Sequence, residues 1–173
     1  MELTKYQELT STTSTYPEQD NLLYPILGAY GELGEVLAGP FKEKTDFSPA
    51  IAHFLSGLVS VSEACEIVKK AFRDNKGYIP ADKIVRLTNL LDRAAEGFDI
   101  SAIKFSDGDL TNGRVMCKLP AVVESKELGD ILWYAAAIGT AGKLDLGTVA
   151  EENISKLTSR KERGVISGSG NDR

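Results

Sequence analysis

Apolar residues recur at three- and four-residue intervals through most of the chain, the period of helices that bury one face. In "EQDNLLYPILGAYGELGEVLAG" they fall at Leu22, Leu23, Ile26, Leu27, Tyr30, Leu33, Val36 and Leu37. This stripe predicts a helix stopped by Gly39-Pro40, with Pro25 early enough to be tolerated. Ser48-Pro49 has the form of an N-cap serine followed by proline at the first helical position, and predicts a second helix reaching Asp74. A third opens near Pro80 and carries Ile84, Leu87, Leu90 and Leu91 before Gly97. A fourth is expected from about Leu119 to Ala141, and Asp145 is the expected N-cap of a last helix bearing Leu146, Val149, Ala150, Ile154 and Leu157. Residues 98–118 break the period. Asp, Gly and Asn cluster there, and Ile103 and Phe105 can pair with Val115 in a small hairpin. The pattern predicts an all-α bundle of about five to six helices, with a loop or small hairpin inserted near 98–118. It forms a single domain over 1–164, and the small polar segment 165–173 is expected to be a flexible tail.

Composition narrows the chemistry. The chain has 173 residues, enough for one packed core, and no run of about 18 apolar residues that would predict a membrane span. The N-terminal "MELTKYQELTSTTS" lacks a secretory layout, and Cys65 and Cys117 form neither a metal spacing nor a disulfide framework. Both point to a cytoplasmic protein. A formal charge of −5 argues against nucleic acid as a partner. His53 is the only histidine, which excludes multi-histidine zinc sites and di-iron bundles that need two Glu-x-x-His motifs. Its apolar neighbours predict a helix histidine near the core. Any metal chemistry must therefore use oxygen ligands and a hard cation such as Mg²⁺ or Mn²⁺.

Two stretches stand out against that background: "YGELGEVL" at 30–37 and "KELGDILW" at 126–133. Acids spaced i,i+3 share a helix face, where two carboxylates can converge on one ion. The chain holds six such pairs (32/35, 43/46, 63/66, 96/99, 124/127 and 127/130). Composition alone gives about three to four, so spacing is weak grounds by itself. Context separates them. Between Asp20 and Lys42 the only charges are Glu32 and Glu35, and none lies between Asp130 and Lys143. Helices this poor in lysine and arginine are expected to be buried, and buried carboxylates need a partner. That partner is either a divalent cation held by all four acids or basic residues from elsewhere in the fold. Gly31, Gly34 and Gly129 would let helices approach and leave room for an ion or ligand.

The blocks "YQELTSTTSTYPEQDNLLYPILGAYGELGEVL" and "KELGDILWYAAAIGTAGKLDLGTVAEENISKLTSRKERG" resemble the MazG-like, all-α nucleoside triphosphate pyrophosphohydrolases, a superfamily that includes dimeric dUTPases and dCTP pyrophosphatases. The resemblance implies Mg²⁺ ligands at Glu32, Glu35, Glu127 and Asp130. It implies hydrolysis of a nucleoside triphosphate to monophosphate and pyrophosphate, with Glu35 as the catalytic base. Asn153, Lys156 and Arg160 on one face of the last helix would meet phosphate, with Arg163 just beyond, and Tyr134, one turn after Asp130, would contact the nucleoside; Trp133 is expected in the core. A homodimer or tetramer is the implied assembly. Compact members have their two acid motifs much closer together than the 38–119 insertion allows here. Within that insertion "GLVSVSEACEIVKKAFRDNKG" also resembles the first metal helix, so Glu63 and Glu66 are rivals for the first pair or additions to the same cluster. A catalytically inactive scaffold of the same fold, or a relative specific for dUTP, dCTP or a modified nucleotide, remains an alternative.

Overall fold

The computed structural model describes residues 1–16, 22–42, 49–99 and 124–165. Among them are six helices and no strand: α1 (Leu3–Ser11), α2 (Leu23–Lys42), α3 (Pro49–Asn75), α4 (Ala81–Phe98), α5 (Ser125–Ala141) and α6 (Leu146–Glu162). The all-α bundle expected from the apolar period is what forms. The hairpin expected around Ile103, Phe105 and Val115, the start of the fourth predicted helix at 119–123, Cys117 and the tail from 166 lie outside the described residues.

Local chemistry accounts for most boundaries. Pro25 occupies the first turn of α2, where its missing N–H costs no intrahelical bond, and its side chain is fully buried. The helix does not stop at Gly39-Pro40, as the sequence predicted, but runs to Lys42. Pro40 lies only two residues from that end, so its disruption is confined to the last turn. Helix α3 ends where Lys76 (φ 51°) and Gly77 (φ 85°) turn left-handed. The Asp145 carboxylate accepts the Thr148 N–H at 2.7 Å, the N-cap that starts α6.

The sequence reading placed no helix at α1. That helix is polar, and its N-cap residue Glu2 makes no side-chain capping bond. Tertiary contacts hold it instead. The half-turn-buried Gln7 donates to Thr140 Oγ1 (3.2 Å) and to the Leu144 carbonyl (2.8 Å), and its own carbonyl oxygen accepts the Leu146 N–H (2.6 Å). One amide thus satisfies three groups at the α5–α6 turn.

α3 is the central helix of one side, packing along both α2 and α4; α2 packs on α5, and α1 covers α5 and α6. The core is built largely from small and aromatic residues: Ala64, Ala71, Ala94, Ala136, Ala137, Tyr24 and Tyr134, with Leu55 and Leu90. Burying Leu90 contributes about 2 kcal/mol. Close approach is sharpest between α2 and α3. A Cβ on Gly31 would collide with the Glu66 carboxylate, and one on Gly34 with the Ser62 hydroxyl. Gly129 plays no such part in α5, for nothing lies within 4 Å of its Cβ direction among the described residues. His53 ties α3 to α4 through the Glu96 carbonyl (2.8 Å), the structural role expected of it. No helix among the described residues is long and apolar enough to cross a membrane.

Candidate metal and phosphate site

Helices α2 and α5 pack together through small and aromatic residues, with Gly28 and Tyr24 against the Tyr134 ring. Much of the apolar stripe expected on α2 (Leu22, Leu23, Ile26, Tyr30 and Leu33) is exposed instead. This packing turns both acid motifs toward a common point. One carboxylate oxygen each from Glu32, Glu127 and Asp130 lies within 4.8 Å of the others, and all three residues are partly buried. Glu35, one turn beyond Glu32, is more exposed and near enough to Glu127 for that carboxylate to raise its pKa. The four acids singled out in the two motifs are therefore neighbours. Tyr6 of α1 stands at the edge of this group; burial and then the charge of Asp130 raise its phenol pKa.

Proximity of like charges without full solvent is costly, and the titration of the acids records it. Burial pushes Glu32 up to about 7; Lys69 opposes the rise, while Glu35, Asp130 and Glu66 add to it. Glu35 is also raised, by burial first and then by Glu127 and Glu66. The Glu127 Oε2 atom is buried with no hydrogen-bond partner among the described residues. A buried acceptor in that condition loses its hydration without recompense. An all-oxygen donor set with an unsatisfied buried acceptor fits a hard divalent cation, and these residues can hold one.

The rival pair on α3 divides. Glu66 belongs to the neighbourhood: it influences both Glu32 and Glu35, and it is 19% exposed. Glu63 does not; it lies at the surface and pairs with Arg86 of α4 at 3.3 Å. Glu66 is also tied to two cations of its own helix, Lys69 and Lys70, the latter at 3.5 Å.

Lys69 is the residue that sequence reasoning missed. Its side chain is 5% exposed, yet it carries a charge into the core. It donates to Glu66 and to the Tyr134 hydroxyl (3.1 Å), and its ammonium stands 3.9 Å from Glu32 Oε1 and 5.1 Å from the centre of the Tyr134 ring. Burial works against the ammonium, but hydrogen bonds to Glu66 and Tyr134 more than offset it and hold its pKa above the usual lysine value. The available signal was its position three residues after Glu66 in the otherwise apolar run "EIVKKAF".

The expected nucleoside and phosphate contacts are differently placed. Tyr134 is only 9% exposed; its hydroxyl is taken by Lys69 and its ring packs against Tyr24 and Trp133. Trp133, expected in the core, is partly buried, meets Tyr16 edge-on and donates to Thr13 at 2.8 Å. On α6, Asn153 and Lys156 are exposed while Arg160 is 5% exposed, so the expected shared face is split between solvent and protein. Arg163, just beyond the helix, is exposed. The main packing partner of α6 is α1, not the acid-bearing α2.

Comparison with known proteins agrees with the second acid motif. The profile of the MazG nucleotide pyrophosphohydrolase domain matches residues 124–165, which span α5, its turn and α6. The chain is also similar to the Gene 37 protein of Mycobacterium phage L5, with 51% identity over 47 residues, 27% of this chain. The match spans 41% of that relative's length. No solved structure matches. The helix pair carrying Glu127 and Asp130 thus supports assigning this chain to the MazG-like family.

Proposed function

We propose that this protein is a divalent-cation-dependent nucleoside triphosphate pyrophosphohydrolase, converting a nucleoside triphosphate and water into monophosphate and pyrophosphate in the cytoplasm. One observation carries the reading: acids of α2 and α5 converge within 4.8 Å, and one of them has a buried oxygen with no hydrogen-bond partner among the described residues. The proposed ligands are Glu32, Glu35, Glu127 and Asp130, and the proposed ion is Mg²⁺, with Mn²⁺ as its substitute. When bound, the ion would neutralise phosphate charge and lower the pKa of the attacking water.

The remaining work falls to side chains of the chain itself. Glu35 is the proposed base. It is the most exposed of the four acids, and burial with neighbouring carboxylates raises its pKa and so its basicity. Lys69 holds the Glu66 and Glu32 side chains in place from within the core, and Tyr134 in turn fixes Lys69 rather than receiving a base. Asn153 and Lys156 are exposed and available to incoming phosphate, whereas the buried Arg160 is suited to supporting α6. Large apolar residues left exposed on several helices, Tyr30, Leu33, Leu128 and Ile154 among them, support a homodimer or tetramer in solution.

The test is a panel of standard, deoxy and modified nucleoside triphosphates with Mg²⁺, dUTP and dCTP included, assayed separately for pyrophosphate and orthophosphate. Pyrophosphate is the expected product, abolished by chelation. Release of orthophosphate, or no turnover across the panel, would overturn the reading and favour an inactive scaffold of the same fold.

A further inference from the structure

Beside the acid cluster, residues of α2, α3 and α4 line an open cleft of about 470 Å³, within the usual range of small-molecule sites. Its wall is not uniformly acidic. Glu35 and Glu66 line it beside the cluster, and Lys70, Lys83 and Arg86 line it together with Glu63 and Asp74. Two of these cations come from the first turns of α4, so the insertion that separates the two acid motifs supplies them.

Three acids of this wall already have cation partners, and the fourth, Glu35, belongs to the proposed cation site. Glu66 is held by Lys69 and Lys70, Glu63 by Arg86, and Asp74 by both nitrogens of the Arg73 fork at 2.6 and 2.9 Å. Lys83 and Arg86 keep side chains that are 52% and 61% exposed, and their present ion pairs, to Asp82 at 3.2 Å and Glu63 at 3.3 Å, are the solvent-exposed kind that contributes little. Such pairs are readily exchanged for a stronger ligand. A guanidinium fork and two ammonium groups beside a carboxylate cation site form a suitable receptor for linked phosphates.

We propose that this cleft is a polyphosphate subsite: Lys70, Lys83 and Arg86 of the inserted helices receive a chain of two or three linked phosphates whose other end reaches the carboxylate cluster. This rests on the reading of that cluster as a phosphate-processing centre and specifies where the departing pyrophosphate portion of the substrate lies. It adds residues of α3 and α4 to the phosphate contacts proposed for Asn153 and Lys156 of α6. Arg86 exchanges Glu63 for phosphate when the ligand enters, so Glu63 competes with substrate and is not one of the cation's ligands.

The test is calorimetric titration of the full-length protein with inorganic tripolyphosphate in the presence of Mg²⁺, which needs no turnover. Lys83→Ala and Arg86→Ala should each weaken binding about tenfold, and the double variant more. Both residues are exposed, and unchanged thermal melting checks that the variants fold. Glu63→Gln should tighten binding by a few-fold, because it frees the Arg86 fork. Failure of the wild type to bind, unchanged affinity in the double variant, or weaker binding in Glu63→Gln each overturns the inference. The two readings can fail separately. Cation-dependent tripolyphosphate binding that needs Lys83 and Arg86, without nucleotide hydrolysis, would sink the proposed activity alone. Hydrolysis with an unaltered KM in the double variant would sink the subsite alone.

Discussion

α2 and α3 carry the same motif, two glutamates one helical turn apart, and the structure surrounds them differently. Glu63 and Glu66 on α3 each find a cation of the protein: Arg86 for the first, Lys69 and Lys70 for the second. α2 has no basic residue among its described side chains; Glu32 shares Lys69 of α3 with Glu66, at 3.9 Å, and the α2 acids turn toward two further acids on α5. Equal spacing therefore produces acids paired mostly within the protein on one helix and a concentration of negative charge beside the other. What distinguishes a cation site from a solvated face is the countercharge in reach, not the register of the carboxylates.

The largest expected effect breaks or keeps this distinction directly. Glu35→Gln, Glu127→Gln and Asp130→Asn should each lower kcat about a thousandfold and weaken Mn²⁺ binding measured by electron paramagnetic resonance. Glu63→Gln should leave Mn²⁺ binding intact. The reverse outcome, activity retained in Glu35→Gln and lost in Glu63→Gln, would show that α3 carries the first motif and that the pairing with Arg86 misled us.

Lys69 links the two helices, and its removal should have the next largest effect. Lys69→Met leaves Glu66 with only the exposed Lys70 and takes from Glu32 the ammonium that stands 3.9 Å away, which should cost about 3 kcal/mol of stability. Urea denaturation in the presence of a chelator would measure it. Added Mg²⁺ should recover much of the loss, because an ion supplies the missing charge. Equal loss with and without the ion would mean that Lys69 acts through packing alone.

A smaller effect follows from the raised pKa of Glu32. In the metal-free protein a folded value of about 7 stands above the ordinary carboxylate value of 4.5. The folded state therefore holds this proton more tightly than the unfolded one. Its contribution to stability is complete below about 4.5 and is lost as pH rises through about 7. Cation binding has the opposite slope, since the ion must displace that proton. Thermal melts from pH 5 to 8.5 should show the chelated protein weakening while the gap between chelated and Mg²⁺-loaded samples widens. A gap independent of pH would remove Glu32 from the ligand set.

The helices and the α2–α5 acid pairs were legible in the sequence because each rests on a local or periodic signal: the apolar stripe, the Asp145 cap, the absence of basic residues around Glu32 and Asp130. Illegible features depend on residues far apart. Gln7 stabilises α1 only through atoms more than a hundred residues away, so a polar helix with no cap gave no sign of itself. Lys69 reads as one more surface lysine until α2 and α5 close over it. The burial of Tyr134 has the same origin: helical spacing put it on the face of Asp130, but the lysine of an inserted helix occupies its hydroxyl. The stop expected at Gly39-Pro40 failed for a different reason, since a proline in the last turn disturbs a helix without ending it at once.

Glycines sharpen the comparison at its fine end. Gly31 and Gly34 of α2 are pressed against α3, where a methyl group would meet the Glu66 carboxylate and the Ser62 hydroxyl. Gly129, set between Glu127 and Asp130 on α5, meets nothing within 4 Å among the described residues. Gly31→Ala should therefore lower the melting temperature, while Gly129→Ala should raise stability by about 0.5–1 kcal/mol through helix propensity alone. Chemical denaturation of the monomer at low concentration measures both. If Gly129→Ala is instead destabilising, and more so at higher protein concentration, the space beside it is filled in solution by a second copy of the chain. The glycine would then serve on α5 the purpose that Gly31 serves on α2, close helix contact beside a carboxylate, with the partner helix supplied from outside the chain.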